Sequence, residues 1–421
     1  YGGWCGRHPP KQSQISNELW HVLARSTEAS CRNELLQVYC AYNLNKTGGC
    51  VPPMYLRKPK SGSKLRPGIL PFNFKALPTI GHRPDLEDYK AVRKNPNAAV
   101  IPVKFAFLII AHTCEDCVLQ LIDLVYRPYF FYVVHVDFRQ DQVRNELKRK
   151  IALIPGYTNV RVLPKERSFT ATWGSYNILR AELEGIEELA RMGVWDFVIN
   201  LSGSDLPFTD VDDLAAMYAS YRTRNFINAR ETWKERSPSK KDISVWHACG
   251  DHVYNVTSRG PPPTWSTQLS ASQWFILDRG FATTVIDQNH RSRRLNKIQF
   301  FQQTCIVPDE SYLSSMLFNS AFRNTYVFDH SRLYRFPKSP FDKRGLCKHS
   351  SDIDYCGQSP INIAQSNIKL FKYYSRIYNF GRKHPYNISH PTRKAAINTV
   401  RGMDMYHIVV EKKSVTKVFI R

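Results

Sequence analysis

The sequence predicts an α/β fold in which helices cover a sheet on both faces. Three observations carry this reading: continuous apolar runs of strand length from residue 104 onward, helix-length segments between them, and small or polar residues just past each run. A strand buried on both faces reads as an unbroken apolar stretch, and strands alternating with helices assemble into a largely parallel sheet.

In chain order, KFAFLIIA at 104–111 is the first strand and a helix follows over 115–125. YFFYVVHVD closes the second strand at Asp137, a helix covers 140–154, and NVRVLP is the third strand. After Gly174, ILRAELEGIEELARM has helical periodicity; WDFVINLS at 195–202 is the next strand, and Thr209-Asp210 opens another helix. This order is an α/β nucleotide-binding layout. Ahead of it, residues 1–103 are rich in Cys, Pro, Gly and basic residues, with amphipathic helical stretches at 16–24 and 31–41, and read as a disulfide-pinned stem or cap.

The 421 residues suffice for two or three domains. No window approaches the roughly 18 consecutive apolar residues that a membrane span needs. The chain starts at Tyr1 rather than Met, which is compatible with a leader or anchor ahead of it. The 59 Lys and Arg against 36 Asp and Glu give a net charge of +23, which calls for an anionic partner or milieu: nucleic acid, acidic glycan or nucleotide phosphate. A solvated basic surface is the plain alternative. The basic residues are scattered through loops rather than along one helix or aromatic sheet face, which argues against nucleic acid.

Ten cysteines are spread along the chain, four of them in the first fifty residues, and disulfides are the economical reading. Cys114-Glu115-Asp116-Cys117 has a CxxC spacing, but no second CxxC and no nearby His pair completes a metal site. Sequons at Asn45, Asn255 and Asn387 agree with a secretory lumen, whereas the one at Asn200 lies in an apolar strand and is expected to stay unmodified.

In such a sheet the ligand lies at the carboxyl ends of the strands. The residues there are Ala111-His112, Asp137, Thr172-Trp173-Gly174 and Ser202-Gly203-Ser204-Asp205. Neither GxGxxG nor GxxxxGK[ST] occurs, which disfavours the usual dinucleotide and ATP modes.

Together, His135-Val136-Asp137, Thr172-Trp173-Gly174, the run from Trp195 to Pro207 (WDFVINLSGSDLP) and Pro308-Asp309-Glu310-Ser311 resemble one glycosyltransferase family. It comprises peptide O-xylosyltransferases, core-2 and I-branching β-1,6-N-acetylglucosaminyltransferases and plant-like relatives. The resemblance extends over roughly residues 104–383. It implies a GT-A-like mixed sheet, a UDP-sugar donor, inversion at the anomeric carbon and no required metal. Composition and resemblance together give the expected division into a stem or cap (1–103), a GT-A-like core (104–345) and a C-terminal donor-closing segment with a β-hairpin (346–421).

Inverting transfer needs one base for the acceptor hydroxyl and a way to stabilise the departing diphosphate. Read alone, Glu310 is an acid favoured at the start of the helix SYLSSMLF; the family's catalytic glutamate lies in the matching segment, so the resemblance makes Glu310 the base. Asp210-Val211-Asp212 has the DxD form of a metal site, yet Thr209 followed by Asp212 reads as a helix cap. Asp352-Ile353-Asp354, between Cys347 and Cys356, reads as a turn in a disulfide loop. The resemblance instead assigns the diphosphate to Arg382 and Lys383 in Phe380-Gly381-Arg382-Lys383, with Ser375-Arg376 as a competing alignment and a surface basic pair as the plain alternative. Cys356-Gly357-Gln358-Ser359-Pro360 resembles the family's CGxSP turn, which gives Ser359 a phosphate contact and pairs Cys347 with Cys356.

By the same resemblance Asp137 faces uracil and ribose, Trp173 is a wall of the donor pocket, and Asp205 lies where donor sugar and diphosphate approach; the strand-end residues Ala111 and Thr172, with Gln273 and Trp274, are expected in the donor site beside them. Read without it, Trp173 is a core residue and Asp205 a strand-end turn. One departure stands out: xylosyltransferase-like members carry Asp-Trp where this chain has Gln273-Trp274, and Gln cannot act as a base. The expected function is an inverting, metal-independent UDP-sugar glycosyltransferase acting on a glycan or glycoprotein acceptor in the Golgi lumen or at the cell surface. The alternative is a non-catalytic glycan-binding or structural glycoprotein that keeps the fold.

Overall fold

Strand β1 (Phe105–Ala111) is buried along nearly its whole length, and its two faces organise the molecule. The computed structural model describes residues 16–26, 28–43, 102–232, 243–287, 292–329, 331–336 and 359–401. The Cys347 and Cys356 pair, Asp352-Ile353-Asp354, most of the CGxSP turn, the Asn45 sequon and the C-terminal hairpin lie outside the described residues.

Helix α1 (Asn17–Arg25) and helix α2 (Ala29–Asn43) precede β1. After it come α3 (Glu115–Val125), β2 (Phe131–Val136), α4 (Asp141–Ala152), β3 (Val160–Val162), α5 (Tyr176–Met192), β4 (Phe197–Ser202), β5 (Leu206–Pro207) and α6 (Val211–Tyr218). The chain continues through β6 (Asn225–Thr232), β7 (Ser244–Cys249), β8 (His252–Ser258), β9 (Leu269–Asp278), α7 (Arg279–Ile286), α8 (Arg293–Gln302) and α9 (Tyr312–Phe318). The last elements among the described residues are β10 (Tyr326–Val327), β11 (Arg332–Leu333), α10 (Phe371–Tyr374), β12 (Phe380–Gly381) and α11 (Pro391–Val400).

The main sheet has the order β10-β6-β9-β4-β1-β2-β3. β1 pairs in parallel with β2 and β4, and β2 with β3, while β9 runs antiparallel between β4 and β6. Phe105, Phe107 and Ile109 belong to one core cluster with Val118 and Leu121 of α3 and Leu214 of α6. Ala106 and Leu108 belong to a second, with Leu179 and Ile186 of α5, Phe281 of α7 and Met316 of α9. Each large apolar side chain so buried contributes about 1.5–3 kcal/mol, which is why the strands are continuous apolar runs. This mixed sheet with helices on both faces agrees with the α/β class that the apolar runs predict.

The expected helix over 140–154 is the shorter α4. The cap of α6 is Asp210 rather than Thr209: its carboxylate accepts from Asp212 N at 2.8 Å, while Thr209 Oγ1 turns away to the Ser375 carbonyl. A second sheet, ordered β11-β12-β5, fastens the C-terminal segment to the end of β4. Helices α1 and α2 pack on the β7–β8 hairpin: Leu19, Val22, Leu35 and Val38 share a cluster with Val245, Tyr254 and Val256, and a disulfide joins Cys31 to Cys249. Cys114 and Cys117 form a second disulfide at the start of α3. Asn200 is fully buried, as its apolar strand predicts, and Asn387 is exposed. Among the described residues no helix is long and apolar enough to cross a membrane.

Candidate active site

The parallel strands β1, β2 and β4 bring their carboxyl ends to one edge of the sheet. Ala111, the last residue of β1, accepts the Asp137 backbone N–H at 2.9 Å and so fixes the chain leaving β2. Buried Arg144 of α4 braces the same point by donating to the Val136 and Asp137 carbonyls, both at 2.9 Å. The Asp137 carboxylate is buried and accepts four hydrogen bonds at 2.9 Å, from Arg139 N, Nε and Nη2 and from Ala171 N. Burial alone would raise its pKa, but these donors outweigh it and hold the carboxyl below its ordinary value.

Ala171 begins the Thr172-Trp173-Gly174 loop. Thr172 Oγ1 donates to the Gly250 carbonyl at 2.9 Å, and Trp173 is half-buried beside it. Gly174 has φ +79°, and a Cβ there would meet Ile306 Cδ1 at 3.0 Å, so only glycine fits without strain. Its carbonyl accepts from Val307 N at 2.9 Å, which ties this loop to the turn Pro308–Glu310. Glu310 is exposed on that turn, one residue after the buried Asp309.

Basic residues approach from the other side. Strand β12 holds the backbone that follows it, Arg382 N donating to the Leu333 carbonyl at 2.8 Å. The Arg382 guanidinium stacks 4.2 Å over the Trp274 ring, and its Nη1 contacts Asp205 Oδ1 at 3.2 Å and Ser202 Oγ. Asp205 is fully buried and also accepts from Ser202 N and Oγ, each at 2.9 Å, so it closes the turn after β4 and holds Arg382. Lys383 Nζ donates to Ser359 Oγ at 2.6 Å. Burial first and the neighbouring Arg382 second lower the Lys383 pKa. Buried Arg332, 4.5 Å from the Phe380 ring, adds a third positive charge beneath this group.

His112 reports how these groups converge. Burial is the first cause that lowers its pKa; Asp137 opposes it, and Lys383, Arg382 and Arg139 lower it further. One imidazole at the end of β1 thus feels the charges that follow β2 and β12 together. Its ring lies edge-on to Tyr386, 5.6 Å between centroids.

On the β9 side, Gln273 precedes the buried Trp274 and donates from Nε2 to Glu182 Oε1 of α5 at 3.1 Å. The Asp210 and Asp212 pair is engaged elsewhere: Arg127 Nη2 contacts Asp210 Oδ2 at 3.1 Å, Arg127 Nε contacts Asp212 Oδ2 at 2.8 Å, and Tyr129 donates to Asp212 Oδ1 at 2.8 Å. Burial raises the Asp212 pKa, but Arg127 and Tyr129 hold it below its usual value.

The structure therefore joins the expected residues in connected groups: Ala111 with Asp137, Thr172 and Trp173 with the Glu310 turn, Asp205 with Arg382 and Trp274, and Ser359 with Lys383. Sequence reasoning missed Arg139, Arg332, Tyr386 and Glu182. Glu182 left a signal, because it falls on the apolar stripe Leu179, Ile186 and Leu189 of an otherwise amphipathic helix.

A family model described as Core-2/I-branching enzyme matches residues 105–360. The chain is 26% identical over 378 residues to xylosyltransferase 2 of Homo sapiens, covering 89% of this chain and 40% of that protein. It is 27% identical over 380 residues to human xylosyltransferase 1 (89% and 36%) and 26% identical over 378 residues to that of Rattus norvegicus (89% and 42%). The chain thus spans about two fifths of the length of these curated relatives.

Proposed function

The chain belongs to the Core-2/I-branching enzyme family, and from that premise we propose that it is an inverting glycosyltransferase that moves a sugar from a UDP donor to a glycan or glycoprotein acceptor. The observation that carries this reading is the pair Arg382 and Lys383, held half-buried beside Ser359 and Trp274 and facing the same imidazole as Asp137. A paired cation site at the ends of parallel strands suits a diphosphate.

In this reading Glu310 takes the proton of the acceptor hydroxyl as that oxygen attacks the anomeric carbon from the face opposite UDP. The bond to UDP breaks in the same step, and Arg382 and Lys383 receive the charge that develops on the diphosphate, with Ser359 donating to a phosphate oxygen. Fixed cations do here what a divalent metal would otherwise do. Asp137 and Arg139 face the nucleoside, and Ala111, Thr172, Trp173, Asp205, Gln273 and Trp274 shape the donor pocket. The sequons and the disulfides Cys31–Cys249 and Cys114–Cys117 support a secretory lumen or cell surface. The net charge of +23 suits an acidic acceptor.

The test is a panel of UDP-sugars (xylose, N-acetylglucosamine, glucuronic acid, galactose) with glycan and peptide acceptors, reading UDP release and product linkage. One donor giving UDP and a β-linked product is the expected result. No release with any donor, combined with glycan binding, would instead favour a non-catalytic glycan-binding protein.

A further inference from the structure

Glu182 is a fully buried carboxyl in the apolar stripe by which α5 packs on the sheet. Burying such a group is costly unless donors or a proton compensate. Its Oε1 accepts from Asn200 Nδ2 of β4 at 3.2 Å and from Gln273 Nε2 of β9 at 3.1 Å. Asn200 joins the same two strands, donating to the Gln273 carbonyl at 3.0 Å and accepting from Phe275 N at 2.9 Å. One residue further along β9 is Trp274, on which Arg382 rests.

The other oxygen, Glu182 Oε2, is buried without a hydrogen-bond partner among the described residues, and so is Oδ1 of Asp309. Burial first and Asp309 second hold the Glu182 carboxyl well above its ordinary range; burial first and Glu310 second push Asp309 up to about 8. The charged groups on this side are therefore Asp309 and, through it, Glu310, while Asn200 and Gln273 contribute only neutral amides.

We propose that Glu182 is a positioning residue for transfer: one buried carboxyl that grips Gln273 of β9 through one oxygen and lies beside the buried Asp309, so that α5, β9 and the turn Pro308–Glu310, which pack together, keep one arrangement. The proposal rests on the functional reading above. It also accounts for Gln273. An aspartate there would set a third carboxyl against the pair, whereas the amide supplies a donor.

The experiment compares wild type with Glu182→Gln and Glu182→Leu in donor turnover, UDP affinity and melting temperature. Loss of kcat by about tenfold to a hundredfold is expected in both, larger for Leu, because a small misplacement of a base costs that much. UDP affinity should stay within about twofold, and the melting temperature of the Gln variant should hold, since its amide oxygen can still accept from Asn200 and Gln273. A kcat that falls only together with the melting temperature, or unchanged kcat in both variants of an active wild type, overturns this proposal alone. A wild type that neither binds UDP nor turns over any donor overturns the functional reading and this proposal with it. Should the Leu variant fail to fold, Asp309→Asn, which removes the other carboxyl, must show the same kcat loss at unchanged UDP affinity.

Discussion

The Arg382 guanidinium lies 4.2 Å over the Trp274 ring while its Nη1 sits 3.2 Å from the buried Asp205 carboxylate. This relationship makes Arg382 both a site residue and a structural one. Removing it would leave a buried carboxylate without its cation, a loss of about 3 kcal/mol. Arg382→Ala is accordingly expected to lower the melting temperature as well as UDP affinity, whereas Lys383→Ala, whose partner is the hydroxyl of Ser359, should weaken UDP with little loss of stability. Thermal melts of the two variants beside UDP titrations separate these effects.

Glu310→Gln removes a proton acceptor without touching the cations. The expected outcome is a kcat reduced by about 10²–10⁴-fold with UDP affinity nearly unchanged. Turnover at the wild-type rate would remove Glu310 from the role of base.

Asp309 gives a pH signature. Its carboxyl is pushed up to about 8 by burial and by Glu310, whereas in the unfolded chain it ionises near the ordinary value of about 4. Between those values the folded state holds a proton that the unfolded state has lost, so this group makes the protein less stable as pH rises from about 4 to about 8. Asp309→Asn should therefore gain melting temperature relative to wild type, and gain more at pH 8 than at pH 5. Equal differences at both pH values would contradict it.

Asp210 and Asp212 are bound to Arg127 and Tyr129, so the DxD sequence is a structural clasp at the start of α6. Asp210→Asn with Asp212→Asn should cost about 1 kcal/mol of stability through the lost ion pairs with Arg127, while the helix cap is kept because Asn caps as well as Asp. UDP affinity should stay unchanged, with and without Mn²⁺. A metal-dependent loss of UDP binding would return these carboxylates to the donor site.

Gly174→Ala is expected to destabilise by about 1–3 kcal/mol, because alanine at φ +79° is strained and its Cβ meets Ile306. Since Gly174 also holds Val307, kcat should fall along with the melting temperature.

The strands were legible because burial on both faces leaves an unbroken apolar run, as in FAFLIIA of β1, and the end-of-strand rule located Asp137 and Asp205. Arg382 and Lys383 were found through resemblance alone: nothing local in Phe380-Gly381-Arg382-Lys383 reveals that β12 pairs with β5 and carries both cations to the end of β4. The docking of α1 and α2 on the β7–β8 hairpin was equally hidden, since the Cys31–Cys249 disulfide spans 218 residues. Glu182 escaped because a helix so rich in glutamate reads as solvent-facing, and only its place on the apolar stripe betrays it. Arg127 illustrates the opposite case, where two aspartates with a well-known spacing are occupied by a partner 83 and 85 residues away.

The most direct test of the account is calorimetric titration of UDP, in excess EDTA, into the wild-type chain and Lys383→Ala. Micromolar binding to wild type without metal is expected, with affinity weaker by about tenfold or more in the variant, the loss of one charge-assisted contact. Binding that requires Mn²⁺, or equal affinity in the two proteins, would contradict a diphosphate site built on Arg382 and Lys383.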